Sequence, residues 1–84
     1  MISSAWTPHA ERQFRKLPLA VQRHILKKLD YFLVAPDPLH FAESLVGREG
    51  HFRFRIGDYR VIFVYEDDRI LILAVGHRRE IYRA

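Results

Sequence analysis

The sequence contains no cysteine, which excludes disulfide bridges and zinc–thiolate sites and leaves packing to stabilise the fold. It has only four glycines, all in or next to predicted turns, so it carries no glycine-rich phosphate-binding loop. Its longest apolar runs, Val61–Tyr65 and Ile70–Val75, are far shorter than the ~20 residues that span a bilayer. Residues 1–6 lack the basic and apolar segments of a secretion signal. These absences predict a cytoplasmic protein without a membrane segment.

Metal-binding patterns are also missing from the sequence. The five histidines lie at scattered spacings, and no pair of them forms the H-E-x-x-H pattern of a zinc-binding helix. We therefore predict neither a metal nor another cofactor. His77 and His51 are candidates for contact with a substrate, whereas His9, His24 and His40 are predicted to be surface residues.

Length and charge limit the domain organisation and the class of partner. A chain of 84 residues forms one small domain, residues 1–84. A domain of this size buries only a little over ~60% of the surface that its unfolded chain exposes. The net charge of +4 and the pI of about 9.9 favour an anionic partner, such as nucleic acid, an acidic protein or a membrane surface. The same charge also fits a surface that arginine keeps soluble. The positions of the arginines must decide between an anionic partner and a merely soluble surface.

Two amphipathic helices follow a short predicted strand at Ile2–Trp6. Thr7 is a good N-cap and proline is tolerated at the first helical position, which predicts a helix over about Pro8–Leu17. Pro18 ends this helix and opens a second one over about Leu19–Val34, whose apolar residues recur at helical spacing. Both helices are expected to pack their apolar stripes on a sheet.

The second half of the chain changes to a period of two, which is typical of strands. Strands are predicted at His51–Ile56, Tyr59–Glu66 and Arg69–His77, joined by two-residue turns at 57–58, with glycine first, and at 67–68. The middle strands are apolar on both faces and therefore belong inside the sheet. Residues 39–50 give the weakest pattern, with a short helical turn and a loop as the expectation. The predicted fold class is α+β, in the order β-α-α-β-β-β, with a small, largely antiparallel sheet and both helices on one face.

Arginines collect at the strand ends and on the uncovered face of this predicted sheet. Arg53 and Arg55 alternate with apolar residues along one strand, Arg60 begins the next, and Arg78 follows the last. Guanidinium groups neutralise phosphate oxygens and stabilise charge in a transition state. Together with Tyr82, these arginines predict a site that handles a phosphodiester.

Each of these residues also has a plainer interpretation. Arg60 can form an ion pair with Asp58 or Glu66. The two strand arginines can form a solvated face, and Tyr82 can be a packing residue. Because Arg78 and its neighbour alternate in direction, at most one of the two points inward. The pattern alone leaves these alternatives open.

Two stretches resemble the RelE branch of the RelE/ParE toxin superfamily. They are GDYRVIF, residues 57–63, and VGHRREIY, residues 75–82, which are specific in combination. The predicted order of elements also agrees, so the resemblance covers nearly the whole chain. It implies a toxin of a type II toxin–antitoxin pair that enters the ribosomal A site and cleaves mRNA. In that reaction the 2′-hydroxyl attacks the adjacent phosphate and leaves a 2′,3′-cyclic phosphate.

The same resemblance implies roles for individual residues. Arg60 matches the arginine that holds the scissile phosphate, and Arg78 matches the one that protonates the leaving oxygen or stabilises its charge. Tyr82 matches the tyrosine that activates or positions the 2′-hydroxyl. Arg53 and Arg55 occupy the basic strand of the family and are predicted to bind RNA.

The resemblance also implies partners, namely the ribosome, mRNA and a cognate antitoxin. The antitoxin is expected to cover the basic groove with an amphipathic helical segment in a hetero-oligomeric complex. His51, where relatives can carry a lysine, and His77 complete the predicted RNA-binding set. Two other functions stay open at this point: a ParE-like inhibitor of DNA gyrase, and a catalytically inactive module that binds an antitoxin.

Overall fold

The computed structural model describes residues 3–81, without the side chain of Ser3. The elements follow in the order β-α-α-β-β-β-β. The strands are β1 Ser3–Trp6, β2 Ala42–Ser44, β3 His51–Ile56, β4 Tyr59–Glu66 and β5 Arg69–His77, and the helices are α1 Pro8–Arg15 and α2 Leu19–Leu33, with a 3₁₀ turn at Pro38–Phe41.

The five strands form one mixed sheet in the order β1-β5-β4-β3-β2. β1 runs parallel to β5, and every other neighbouring pair is antiparallel. β4 and β5 lie inside the sheet, as their two apolar faces predicted. The α+β fold class with two helices before a mostly antiparallel sheet is therefore confirmed.

One strand was missing from the predicted order. β2 has only three residues and lies at the edge of the sheet, where Glu43 pairs with Arg53. Three residues are too few to show a period of two, so the sequence gives no strand signal there. The short helical turn expected in this region is the 3₁₀ turn.

The predicted element boundaries need small corrections. The first helix ends at Arg15 instead of Leu17, and the second ends at Leu33 instead of Val34, differences that are usual at fraying helix ends. Ile2, which the prediction placed in the first strand, lies outside the described residues.

Polar side chains attach α1 to β5. Thr7 caps the helix by accepting a hydrogen bond from the Ala10 N–H at 3.1 Å, and its hydroxyl donates to the Leu73 carbonyl at 3.4 Å. Six residues after Thr7, Gln13 Oε1 accepts from the Val75 N–H at 2.8 Å. β1 pairs only with residues 69–72 of β5. Beyond residue 72, side chains of α1 and its N-cap form the hydrogen bonds with the backbone of β5 instead.

The core lies between the helices and one face of the sheet. Phe54 stacks on Phe63 with ring centroids 4.4 Å apart, and Phe32 of α2 lies 4.8 Å from Phe54. The buried apolar set is Ala10, Ile25, Leu29, Phe32, Phe54, Ile56, Val61, Phe63, Ile70, Ile72 and Val75. Because side chains alternate along a strand, the residues between these positions occupy the uncovered face.

Both predicted hairpin turns are confirmed. Ile56 pairs with Tyr59, so Gly57 and Asp58 form a two-residue turn, and the φ of +59° at Gly57 suits glycine in first position. Asp67 and Asp68 both have positive φ, of 52° and 59°, as a mirror-image turn requires. The first of these turns carries the candidate site.

Truncation of the core tests this packing. Phe54→Ala removes the ring between α2 and β4, and we expect it to lower the free energy of unfolding by about 3–5 kcal/mol. Leu19→Ala, at a side chain that is 67% exposed, should change it by less than about 1 kcal/mol. Urea denaturation of both variants measures the difference, and equal effects would contradict the assigned core.

Candidate nucleic-acid interface

The uncovered face of the sheet presents a row of cationic side chains. The pairing of β3 with β4 sets Arg55 directly opposite Arg60, while Arg53 faces Ile62 and His51 faces Val64. Like charges directly opposite one another are unfavourable in a sheet. An anion bound between the two strands would relieve that repulsion.

Arg60 is the most enclosed cation among the described residues. It is only 7% exposed, and its Nη1 donates to the carbonyls of Gly57 at 2.9 Å and Tyr59 at 2.8 Å. Among residues 3–81, no ion pair joins it to Asp58 or Glu66, so the pairing considered from the sequence is not present. Carbonyl oxygens orient the guanidinium without cancelling its charge.

Arg78 is attached to the same turn from the other side. Its N–H donates to the Asp58 carbonyl at 2.7 Å, and its Nε lies 3.7 Å from Asp58 Oδ1. The chain therefore returns after β5 to the turn that also holds Arg60. Each of these two predicted site residues therefore contacts the same two-residue turn.

The two strand arginines share a carboxylate that sequence reasoning missed. Glu43 of β2 lies 3.6 Å from Arg53 and 3.7 Å from Arg55. The contacts are partly exposed and therefore weak, but they lower the positive potential of this edge. Only recognition of β2 would have revealed Glu43, because its place opposite Arg53 depends on that pairing.

The two candidate histidines occupy different surroundings. His51 begins β3 on the arginine side, with Nδ1 3.2 Å from the Glu49 carbonyl. His77 pairs with Tyr59 on the helix side of the sheet, and their ring centroids are 5.5 Å apart. His77 Nδ1 accepts from the Arg79 N–H at 3.1 Å, and the ring lines a cavity of about 430 Å³. The structure does not group His77 with Arg60 on one face.

Tyr82 lies outside the described residues. The residue before it is described: the Ile81 N–H donates to the His77 carbonyl at 2.9 Å. A Cβ built on Gly76 would lie 3.3 Å from Ile81 Cδ1, and Gly76 is the β5 partner of Arg60. The absence of a side chain at Gly76 thus lets the C-terminal turn lie close to the strand beside Arg60.

Other features add little to this site. Partial burial, and the hydrogen bond that its hydroxyl donates to Asp68, raise the pKa of Tyr65 above the ordinary value of a tyrosine. Across residues 3–81, no cluster of three or more histidine, aspartate or glutamate side chains is arranged to hold a metal ion. No helix in the described part of the chain is long and apolar enough to cross a membrane.

Comparison with known families identifies the class of protein. The family model described as "ParE toxin of type II toxin-antitoxin system, parDE" matches residues 5–82. The chain therefore belongs to this family of toxins, within the RelE/ParE superfamily of type II toxin–antitoxin systems. No individually curated protein shows a significant match in sequence.

Solved structures add detail to this placement. The chain is similar to the toxin–antitoxin complex RelBE2 from Mycobacterium tuberculosis, at 28% identity and a TM-score of 0.74, with 92% of this chain and 98% of that chain covered. It is also similar to the RelE–RelB complex from Pyrococcus horikoshii, at 26% identity and a TM-score of 0.71, with 94% of this chain and 97% of that chain covered. The isolated Escherichia coli RelE toxin shares the fold, with a TM-score of 0.77 and 20% identity. The match covers 100% of this chain and 88% of that chain.

Removal of the shared carboxylate tests the electrostatics of the arginine face. Glu43→Gln removes a negative charge from beside the two strand arginines, and we expect it to tighten binding of a short single-stranded RNA about three- to fivefold at low salt. Glu66→Gln, which makes the same charge change at the end of β4 beside the turn at 67–68, should have less than half that effect. Filter-binding titrations compare them, and equal gains would show that only net charge matters.

Proposed function

We propose that this toxin is a ribosome-dependent endoribonuclease that cleaves mRNA. The observation that carries the proposal is the attachment of Arg60 and Arg78 to the single turn at 57–58. Two guanidinium groups fixed in this way suit a phosphate in an RNA backbone, because preorganised cations stabilise charge that develops in the transition state. Resemblance of residues 57–63 and 75–82 to RelE toxins supports the same reaction.

The reaction forms one bond and breaks one at phosphorus. The 2′-oxygen attacks the adjacent phosphorus, the bond to the 5′-oxygen breaks, and a 2′,3′-cyclic phosphate and a 5′-hydroxyl result. The proton of the 2′-hydroxyl is lost, and the 5′-oxygen gains one. Arg60 holds the scissile phosphate, and Arg78 stabilises charge on the leaving oxygen, because a guanidinium remains protonated at neutral pH.

Tyr82 is proposed to position or activate the 2′-hydroxyl. A tyrosine has an ordinary pKa of about 10, so a base acting near neutral pH requires a decrease of about 3 units, equivalent to roughly 4 kcal/mol. Nearby cations lower a phenol pKa by stabilising the phenolate. Arg60 and Arg78 are the cations that would provide this stabilisation.

The remaining predicted residues are proposed to bind the RNA strand on either side of the cleaved phosphate. Arg53 and Arg55 continue the positive face along β3, and His51 lies at its far end. His77 would contact RNA only at the edge of this face, because strand alternation directs it toward Tyr59. Alignment of the mRNA by the ribosome would supply much of the orientation that in-line attack needs.

A cognate antitoxin is proposed as the partner that controls this activity. Two of the similar structures are toxin–antitoxin complexes, which supports a hetero-oligomer for this chain. An amphipathic helical segment with acidic or apolar residues would cover the arginine face and exclude RNA from it. Inhibition would then be both electrostatic and steric.

The ParE description of the matching family favours inhibition of DNA gyrase as a second candidate function. One scaffold can host both activities, so the fold does not separate them. A gyrase inhibitor has no need of two arginines attached to one hairpin turn. A catalytically inactive, antitoxin-binding module would likewise not require them.

Substitution of the two anchored arginines tests the nuclease assignment. We expect Arg60→Ala and Arg78→Ala each to reduce cleavage of mRNA on programmed ribosomes about 10²- to 10³-fold, because each removes preorganised transition-state stabilisation. Tyr82→Phe should also reduce it. Mapping of mRNA 5′ ends by primer extension provides the measurement.

Arg79→Ala is the matched control for this experiment. It removes the same charge next to Arg78 from an exposed side chain and should reduce cleavage less than about fivefold. Intact mRNA together with inhibited DNA supercoiling by purified gyrase would instead identify a gyrase inhibitor. Unimpaired growth during expression of the wild-type chain would indicate the inactive module.

A further inference from the structure

Asp58 makes two separate contacts with Arg78 across the hairpin turn. Its carbonyl accepts from the Arg78 N–H at 2.7 Å, and its carboxylate Oδ1 lies 3.7 Å from Arg78 Nε. The first contact fixes the backbone where the chain leaves β5, and the second is an ion pair between the two side chains. Among residues 3–81, no comparable carboxylate contacts Arg60, whose Nη1 is held by the carbonyl oxygens of Gly57 and Tyr59 at the same turn.

The carboxylate contact involves the inner nitrogen of the guanidinium. Nε is the guanidinium nitrogen nearest the main chain, and a partner there limits rotation of the planar group without occupying its terminal nitrogens. Among residues 3–81, no hydrogen bond engages the terminal nitrogens of Arg78. The arrangement therefore leaves the outer edge of the guanidinium to a phosphate and uses the inner edge for orientation.

Exposure indicates that this pair does little for the stability of the fold. The Arg78 and Asp58 side chains are 52% and 66% exposed, and ion pairs at such positions contribute little to folding. Orientation is a different quantity, because a displacement of about 1 Å at a reacting group can reduce a rate about 10²-fold. A contact too weak to stabilise the fold can therefore still determine the rate.

We propose that Asp58 is a positioning residue, which uses its carboxylate to orient the Arg78 guanidinium toward the scissile phosphate. The proposal rests on the proposed nuclease function and assigns Asp58 no contact with the reacting atoms. Its negative charge also opposes binding of RNA close to the turn. Removal of the charge should thus slow the chemical step without weakening RNA binding.

Asp58→Asn separates these two effects, because asparagine keeps the shape of the side chain and suits a turn. We expect kcat for cleavage of ribosome-bound mRNA to decrease about tenfold, while KM stays constant or decreases. Asp58→Glu should restore at least a third of the wild-type kcat. Asp67→Asn is the matched control, since it makes the same charge change in the other hairpin turn and should alter neither constant more than twofold.

A second measurement reads the position of Arg78 without any RNA. In ¹⁵N NMR spectra of the full chain, the Arg78 Nε–H signal is identified as the one that disappears in Arg78→Lys. In the wild type this signal should be separate from those of solvent-exposed arginines. In Asp58→Asn it should move to the position of solvent-exposed arginines. Thermal melts of each variant check that the fold is retained.

The outcomes distinguish this proposal from the proposed function. A raised kcat in Asp58→Asn would overturn the positioning role and show that the carboxylate competes with phosphate. An unchanged kcat together with an unchanged Arg78 signal would overturn it as well. Absence of cleavage by the wild type, with the Arg78 signal still dependent on Asp58, would contradict the nuclease function while leaving the contact established.

Discussion

The two hydrogen bonds from Arg60 to the carbonyls of Gly57 and Tyr59 are the contacts on which the candidate site depends. A cation that is 7% exposed needs partners, because unpaired burial of charge is costly. Backbone carbonyls satisfy the guanidinium but carry no full negative charge. The site can therefore keep its positive charge and its geometry at once, which a carboxylate partner for Arg60 would not allow.

The turn can serve as an anchor only because β5 returns the chain to it. β5 pairs with β1 over its first four residues. Beyond these, β5 is bonded to α1, because Gln13 accepts a hydrogen bond from the Val75 N–H. Val75, which makes this contact with the helix, is followed by Gly76. Because Gly76 has no Cβ, the Ile81 side chain can lie close to it. The apolar packing of the helices is thus connected to the position of the C-terminal turn, and through it to Arg78.

Much of this arrangement followed from the sequence, because it depends on local patterns. A period of two placed Arg53 and Arg55 on the uncovered face, and glycine before aspartate predicted the turn at 57–58. The strand that supplies Glu43 was not predicted, because three residues carry no periodic signal. The carbonyl partners of Arg60 were also missed, since side-chain pattern does not report which backbone atoms a folded turn exposes.

Charge on the arginine face is balanced unevenly, and this unevenness bears on function. Glu43 partly neutralises the strand arginines, and Asp58 lies beside Arg78, whereas Arg60 has only neutral partners among the described residues. Cations that are all unopposed would bind any polyanion in proportion to its charge. Carboxylates beside the outer arginines weaken such binding, whereas no carboxylate among the described residues offsets the charge of Arg60. Under the proposed nuclease function, this uneven balance would favour a phosphate at one point of the face, as cleavage at a defined bond requires and as simple adhesion to nucleic acid does not.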